Sequence, residues 1–389
     1  MRARRSSRFR SRRPSALRGL VAAAFALALA LGLGPRAARA ASDPVVRVLV
    51  VESSGTVELR GPAGRHRIER ARRGDGLVVD RRVVGSSWAA AGEGPWEVAG
   101  RRYRGRLLVH ATSDGLQVVD HVELEDYVAA TVGGEMPASW PAEALRAQAV
   151  ASRTYALHQR ERRTADRWDL RATEQSQVYR GLEAETDPTR RAAEATRGEI
   201  LTHHGRPILA AFHSTSGGRT ASASEVWGEP VPYLDSIEVE HEEDAPFTYW
   251  RTLYPPADLD QLLDAMGAGL GSLHALEVES RTESGRVARL VASGSARRIV
   301  IRGDPLRTFA ESLGLRSMLF DVRETPEGFA FVGSGFGHGV GMSQWGAREL
   351  ARRGASYRRI LARFYPGAQL ETWGAESIAS HGGAEAQGR

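Results

Sequence analysis

The chain has 389 residues, which is enough for two or three domains around a substantial hydrophobic core. It contains 53 basic and 47 acidic residues, so its formal net charge is +6. It contains no cysteine, which excludes a thiol nucleophile and a cysteine-ligated zinc site.

The first forty residues have the pattern of a secretory signal peptide. Eight arginines precede an apolar stretch, GLVAAAFALALALGLG, and Ala38-Arg39-Ala40 forms a small-x-small cleavage site. We therefore predict an exported protein whose residues 1–40 are the signal peptide. The alternative is an uncleaved N-terminal anchor, which is the only membrane contact that we expect.

The positive charge is concentrated in this presequence. Residues 1–40 hold ten arginines and no acid, so the net charge changes from +6 to −4 when they are removed. Nucleic-acid binding requires a basic surface on the folded domain. We therefore expect no nucleic-acid partner.

Residues 41–120 are predicted to form an N-terminal β-rich region. Short β-branched runs such as VVRVLVV, TVELRG and GLQVVDHV alternate with Gly and charged clusters, which is typical of antiparallel strands. We expect this region to act mainly as a scaffold.

The pattern changes to mixed α+β over residues 121–375. Pro141 suits the first turn of a helix, and the Ala-rich run that follows contains no helix breaker. A second α+β portion is predicted at about 247–327, with helices at LDQLLDAMG and LRTFAESLG. Residues 376–389 are polar and are predicted to be a disordered tail.

Glu135 stands between Gly133-Gly134 and Met136-Pro137 in the stretch GGEMP. The flanking residues predict that it lies on a loop outside any regular helix, because Pro biases the preceding residue toward an extended conformation. A carboxyl group near Met136 and an aromatic side chain can have a raised pKa and donate a proton near neutral pH. The alternative is a loop glutamate that caps a helix or pairs with an arginine.

Two further stretches combine glycine with polar side chains. FHSTSGG places His213 and Ser216 before a Gly pair, and GSGFGHGVGMSQWGA places His338, Ser343 and Gln344 in and after a Gly-rich turn. Such turns expose backbone amides and hydroxyls for binding a sugar or a peptide. The alternatives are tight structural turns with buried histidines, a serine enzyme that uses Ser216 or Ser343 with a histidine, and a metal site.

Taken together, these stretches resemble the sporulation stage II protein D and amidase enhancer family (SpoIID/LytB), whose members act on bacterial peptidoglycan. The resemblance is carried by VELEDYVAATVGGEMPASWPAEALRAQAVASRTYAL, SQVYRG, FHSTSGG with VWGEPVPYL, and GFGHGVGMSQWGA. They occur in family order between about Val122 and Trp373. Several long stretches in order are much more specific than any single motif.

The resemblance implies an α+β catalytic domain with a central cleft and assigns roles to individual residues. Glu135 corresponds to the catalytic acid of a lytic transglycosylase, which cleaves the bond between N-acetylmuramic acid and N-acetylglucosamine. The remaining candidates are expected to bind or position the glycan; they are Arg153, Gln177, Tyr179, His213, Ser216, His338, Ser343 and Gln344.

The expected partners follow from the same resemblance. They are peptidoglycan glycan strands without stem peptides and, from the second half of the family name, a cell-wall amidase. The alternative function is a non-catalytic module that binds peptidoglycan and stimulates that amidase. Some family members bind zinc through Cys and His just before QVY, where this chain has Leu170, Gln175 and Ser176. We therefore expect neither a metal nor another cofactor.

Overall fold

The computed structural model describes residues 43–72, 74–92 and 94–374. The predicted signal peptide and the predicted C-terminal tail lie outside these residues. Helices and strands both occur in the described part, and strands dominate its beginning, which confirms the predicted α+β class. In these residues, no helix has the length and the apolar character needed to cross a bilayer.

The described residues before the first helix form strands, as the sequence predicts. Adjacent strands in this region pair antiparallel, and inward-facing Val and Leu side chains alternate with exposed polar ones. The strands are β1 Val45–Ser53, β2 Val57–Gly61, β3 Gly64–Arg70, β4 Leu77–Val79, β5 Arg82–Val84, β6 Ser87–Ala89, β7 Trp96–Val98, β8 Arg101–Tyr103, β9 Arg106–Ala111 and β10 Leu116–Glu123.

Helices follow this β region and recur to the end of the described chain. They are α1 Leu124–Glu135, α2 Ala142–Arg162, a 3₁₀ helix Gly181–Ala184, α3 Asp187–Ala195, α4 Ala223–Trp227, α5 Pro256–Ala265, α6 Asp304–Ser312, α7 Gln344–Arg352 and α8 Tyr357–Phe364.

The later strands are mostly short. They are β11 Leu170–Arg171, β12 Glu199–His203, β13 Arg206–Pro207, β14 Phe212–His213, β15 Trp250–Tyr254, β16 Leu273–Arg281, β17 Val287–Gly294, β18 Arg298–Arg302, β19 Phe320–Thr325, β20 Gly328–Gly333, β21 Met342–Ser343 and β22 Gln369–Thr372.

The strands form separate sheets. The β region contains a six-stranded sheet of order β5-β4-β3-β2-β7-β8 and a five-stranded sheet of order β11-β1-β10-β9-β6. The second α+β portion contains two three-stranded sheets, β15-β20-β19 and β16-β17-β18. β14 and β21 pair in parallel and so bring the two predicted Gly-rich turns side by side.

Two hydrophobic cores support this arrangement. One core is continuous from the β region through α1, α2 and α8, and the other fills the α+β portion around Phe309 and Phe331. The Ala-rich composition of α2 lets neighbouring helices approach closely, and most of its central residues are buried. The packing of α1 against α2 therefore holds Glu135, the last residue of α1, in a fixed position.

One prediction about the local fold is wrong. Glu135 does not lie on a loop; it is the last residue of α1. The chain leaves the helix at Met136, which is extended (φ −131°, ψ 144°) because Pro137 follows it. The helix break is thus one residue later than the Gly pair suggests.

Arg153 is the second correction. Its side chain is fully buried and forms a bidentate salt bridge with Glu125, with N–O distances of 2.7 and 2.6 Å. The remaining guanidinium donors reach the carbonyl oxygens of Glu199 and Ala193, at 3.1 and 3.2 Å. This arginine ties α1, α2 and α3 together, and its buried guanidinium group is engaged by other parts of the protein rather than exposed for the glycan that it was predicted to bind.

Replacing Arg153 should therefore affect stability. Arg153→Met leaves the Glu125 carboxylate without its cation and should lower the free energy of unfolding by about 3–5 kcal/mol. Arg146→Met is the matched control on the same helix, because the Arg146–Glu143 pair is partly exposed and should cost less than about 1 kcal/mol. Urea denaturation measures both changes, and equal costs would contradict the assigned role.

Candidate active-site cleft

Glu135 is one of the residues that line a surface cavity of about 620 Å³. The volume lies within the range of ligand-binding pockets. Its rim is formed by the end of α1, the segment Met136–Ala138, the 3₁₀ helix region and the hairpin turn between β7 and β8. Glu135 itself is partly buried.

A backbone hydrogen bond fixes the orientation of Glu135. The N–H of Val178 donates to Oε1 at 2.6 Å. The SQVYRG segment thus acts through its main chain, which no side-chain motif reveals.

The Gly pair before Glu135 allows close packing on both sides. A Cβ on Gly134 would lie 2.0 Å from the carbonyl oxygen of Val178, and one on Gly133 would lie 1.9 Å from that of Ala184. Both distances are far shorter than any real contact of a Cβ atom. The absence of side chains therefore lets Val178 approach close enough to hold Glu135.

The environment raises the pKa of Glu135 to about 7. Burial is the main cause, because it disfavours the charged carboxylate. Hydrogen bonds from the Val178 N–H and from Gln344 act in the opposite direction, while the nearby Glu174 carboxylate adds to the increase. Glu135 is thus half-protonated near neutral pH, as a proton donor requires.

Gln344 is the candidate from the Gly-rich segment that reaches Glu135. It is nearly buried at the start of α7, where its side chain also donates to Gln148 at 3.4 Å. The next residue, Trp345, packs edge-on against Trp140 with ring centroids 5.0 Å apart. The start of α7 and the segment after Glu135 therefore meet.

A buried carboxylate joins the two Gly-rich turns. Glu242 accepts hydrogen bonds from the backbone N–H groups of Ser216 and Gly217, at 3.1 and 3.0 Å, and from the Ser216 hydroxyl at 2.5 Å. The hydroxyl of Ser343 donates to the same carboxylate. Ser343 also caps α7 by accepting from the N–H of Gly346.

Ser216 and Ser343 are therefore buried, where both bind Glu242. The structure gives them the role of holding the two turns together, in place of the predicted contact with glycan. Glu242 was not among the residues that the sequence predicted for the site. It lies 26 residues from Ser216 and 101 residues from Ser343 in an acidic run that matches no motif. No local signal in the sequence could have identified it.

The two histidines of the turns differ in exposure. His213 is buried and its Nδ1–H donates to the carbonyl of Val340 at 3.1 Å. Burial, together with His338 and Arg286, holds the pKa of His213 well below its usual value, so the ring is neutral. His338 is exposed and lines a second cavity of about 380 Å³, which makes it the histidine that a ligand can reach.

The prediction that Gln177 and Tyr179 bind glycan is revised for the same reason as that for Arg153. Both are fully buried. Gln177 accepts from the hydroxyl of Tyr127 at 2.7 Å, and the hydroxyl of Tyr179 donates to Asp120 at 2.9 Å. These buried side chains anchor the segment whose Val178 N–H holds Glu135.

Comparisons with known proteins agree with this arrangement. The family model described as Stage II sporulation protein matches residues 112–203, and a domain of unknown function (DUF8618) matches residues 234–341. Stage II sporulation protein D of Bacillus subtilis (strain 168) is 32% identical over 269 residues, which cover 65% of this chain and 76% of that protein. The chain belongs to the stage II sporulation protein D family.

Two further relatives have a similar sequence identity to this chain. The Bacillus amyloliquefaciens protein of that name is 33% identical over 65% of this chain and 75% of its own length. The amidase enhancer of Bacillus subtilis (strain 168) is 30% identical over 62% of this chain, but the match covers 40% of that protein. The predicted family is thus confirmed. Glu135 and Val178 both lie within the sporulation-protein match.

The close packing at Gly134 can be tested by adding a single methyl group. Alanine favours a helix by about 1 kcal/mol over glycine, yet Gly134→Ala should destabilise the protein by about 1–3 kcal/mol because the methyl group displaces Val178. Gly85→Ala is the control, since no atom lies within 4 Å of its Cβ position. Thermal unfolding compares the two, and a stabilised Gly134→Ala variant would contradict the packing.

The role of Glu242 can be tested with an isosteric amide. Glu242→Gln places an NH₂ group against several donors and should cost about 1–3 kcal/mol. It should also speed hydrogen exchange at the amides of residues 216–218, as measured by mass spectrometry. The exposed Glu240 provides the control variant Glu240→Gln, and equal exchange in both variants would refute the role of Glu242.

Proposed function

We propose that this protein is an exported lytic transglycosylase. Its substrate is the bond between N-acetylmuramic acid and N-acetylglucosamine in glycan strands without stem peptides, and its product carries a 1,6-anhydromuramic acid end. The observation that supports this most directly is Glu135, a carboxyl group with a pKa of about 7 at a cavity of about 620 Å³.

The reaction requires one group that acts first as an acid and then as a base. Protonated Glu135 donates its proton to the glycosidic oxygen, and the bond from that oxygen to C1 of the muramic acid breaks. The resulting carboxylate accepts the proton of the muramic acid 6-hydroxyl as O6 bonds to C1. The acid is thereby regenerated, and no water is added.

The charges around the cavity support this single-acid mechanism. Among the described residues that line it, Glu183 is the other carboxylate. The side chain and backbone N–H of Arg102 bind Glu183, at 2.9 and 3.0 Å. Hydrolysis of glycosides usually requires a second free carboxylate as nucleophile or base. Glu174 lies near Glu135 but is not among the described residues that line the cavity, so transfer to an internal hydroxyl fits this lining better.

The second candidate function is that of a binding module that stimulates a cell-wall amidase. The similarity to a protein named Amidase enhancer favours it. In this case, the cavity binds peptidoglycan and Glu135 has no catalytic role. Both functions place the protein in the cell envelope or outside the cell.

The products of digestion separate the two functions. We expect the purified protein to release 1,6-anhydromuramyl ends from peptide-stripped glycan, as detected by mass spectrometry. Glu135→Gln, which has no proton of suitable acidity, should lower the rate by at least about 100-fold. Anhydro ends formed equally by the variant would rule out Glu135 as the acid, and no ends from either protein would favour the binding module.

The pH dependence offers an independent check. Since Glu135 must be protonated for the first step, kcat/KM should fall above a pH of about 7. Glu174→Gln removes a negative charge that raises the pKa of Glu135, so it should move this fall to lower pH. Rates measured from pH 5 to pH 9 test both statements, and a displacement to higher pH would contradict the assignment.

A further inference from the structure

The β region contributes directly to the cavity that contains Glu135. Gly100 and Arg101, at the turn of the β7–β8 hairpin, line this cavity together with Arg180 from the chain just after Val178. The scaffold role predicted for residues 41–120 does not account for this position. The hairpin extends from a separate sheet to the edge of the candidate active site.

The position of the hairpin is fixed by ionic and backbone contacts. Arg102 binds Glu183, and Arg104 binds Glu185 with an N–O distance of 2.8 Å. Gly181 has a φ of +65°, and a Cβ there would lie 2.2 Å from the carbonyl oxygen of Arg102. This close approach places the hairpin directly against the 3₁₀ helix, so Arg101 is presented at a defined place on the rim.

Arg101 and Arg180 give this rim an excess of positive charge. Both side chains are exposed, and neither forms a salt bridge within the described ranges. The nearby Arg102 and Arg104 are each paired with a carboxylate. The partner of Arg102 is Glu183, which lies on the same rim. Two guanidinium groups without a salt-bridge partner therefore line the same cavity as Glu135. The positive charge of Arg180 lowers the pKa of Glu135, but burial outweighs it and keeps that pKa raised to about 7.

A guanidinium group binds a carboxylate more strongly than any neutral acceptor, because the hydrogen bonds are charge-assisted and can be bidentate. In a peptide-stripped glycan, each muramic acid carries a free lactyl carboxylate. The same group is an uncharged amide when a stem peptide is attached. The lactyl carboxylate is thus the substituent by which a pair of guanidinium groups can distinguish the two glycans.

We propose that Arg101 and Arg180 form a carboxylate subsite that selects glycan with free lactyl groups. This inference rests on the proposed function for the identity of the substrate. Its geometry depends only on the cavity and the docked hairpin. The β region is then a specificity element of the cleft.

Binding measurements test the subsite without catalysis. Isothermal titration calorimetry on the Glu135→Gln protein would compare soluble GlcNAc–MurNAc strands with the same strands converted to lactyl methylamides. We expect about tenfold tighter binding of the carboxylate strands at low salt, and a smaller preference at high salt. Arg101→Gln and Arg180→Gln should each reduce the preference about threefold, and the double variant should remove it.

Matched variants separate this subsite from a general charge effect. Arg82→Gln and Arg191→Gln remove exposed arginines of the same two regions away from the cavity, and both should keep the preference. Arg101→Lys and Arg180→Lys should keep most of it. A double Arg→Gln variant that still prefers carboxylate strands would overturn the proposal, as would a parent protein without any preference.

The two proposals fail in different ways. If no anhydro ends form but the binding preference is intact, the transglycosylase proposal is refuted and the subsite proposal stands. If anhydro ends form but the protein binds both kinds of strand equally, the subsite proposal is refuted and the transglycosylase proposal stands.

Discussion

The hydrogen bond from the Val178 N–H to Glu135 is the interaction on which the candidate site depends. It fixes a carboxyl group at the end of a helix, where a side chain would otherwise be free to rotate into solvent. The packing that makes this bond possible comes from Gly133 and Gly134, which let neighbouring carbonyl groups approach. Burial then outweighs the effect of the bond on protonation and keeps the pKa near 7. The hydrogen bond thus sets the position of the carboxyl group, and burial sets its raised pKa.

Most of the candidate residues from the family motifs make buried contacts within the protein. Arg153 joins three helices, Gln177 and Tyr179 anchor the chain on either side of Val178, and Ser216 and Ser343 bind Glu242. Gln344 and His338 are the exceptions, since one meets Glu135 and the other lines a cavity. Rigid support of a single reacting group explains why so much polar chemistry is buried here: a misplaced proton donor loses rate steeply with distance.

The sequence was sufficient for the fold class and for most helices, and it singled out Glu135 as the candidate acid, which stays a prediction. Periodicity and turn residues report local preferences, and the helix beginning after Pro141 and the extended Met136 are local matters. It was insufficient for Glu242 and Arg101, because their roles come from contacts between distant parts of the chain. It also misplaced Arg153, Gln177 and Tyr179 in a binding surface. A motif shows that a polar residue is needed, but burial decides whether it meets a ligand or another side chain.

The account requires that Glu135 be a weak acid in the folded protein. The most direct measurement is a titration of its side-chain carboxyl carbon by ¹³C NMR, with Glu135→Gln used to assign the signal. A midpoint at a pH of about 7 is predicted. A midpoint at or below the ordinary glutamate value of about 4.5 would show a carboxylate that is charged and solvated at neutral pH, and would contradict its role as proton donor.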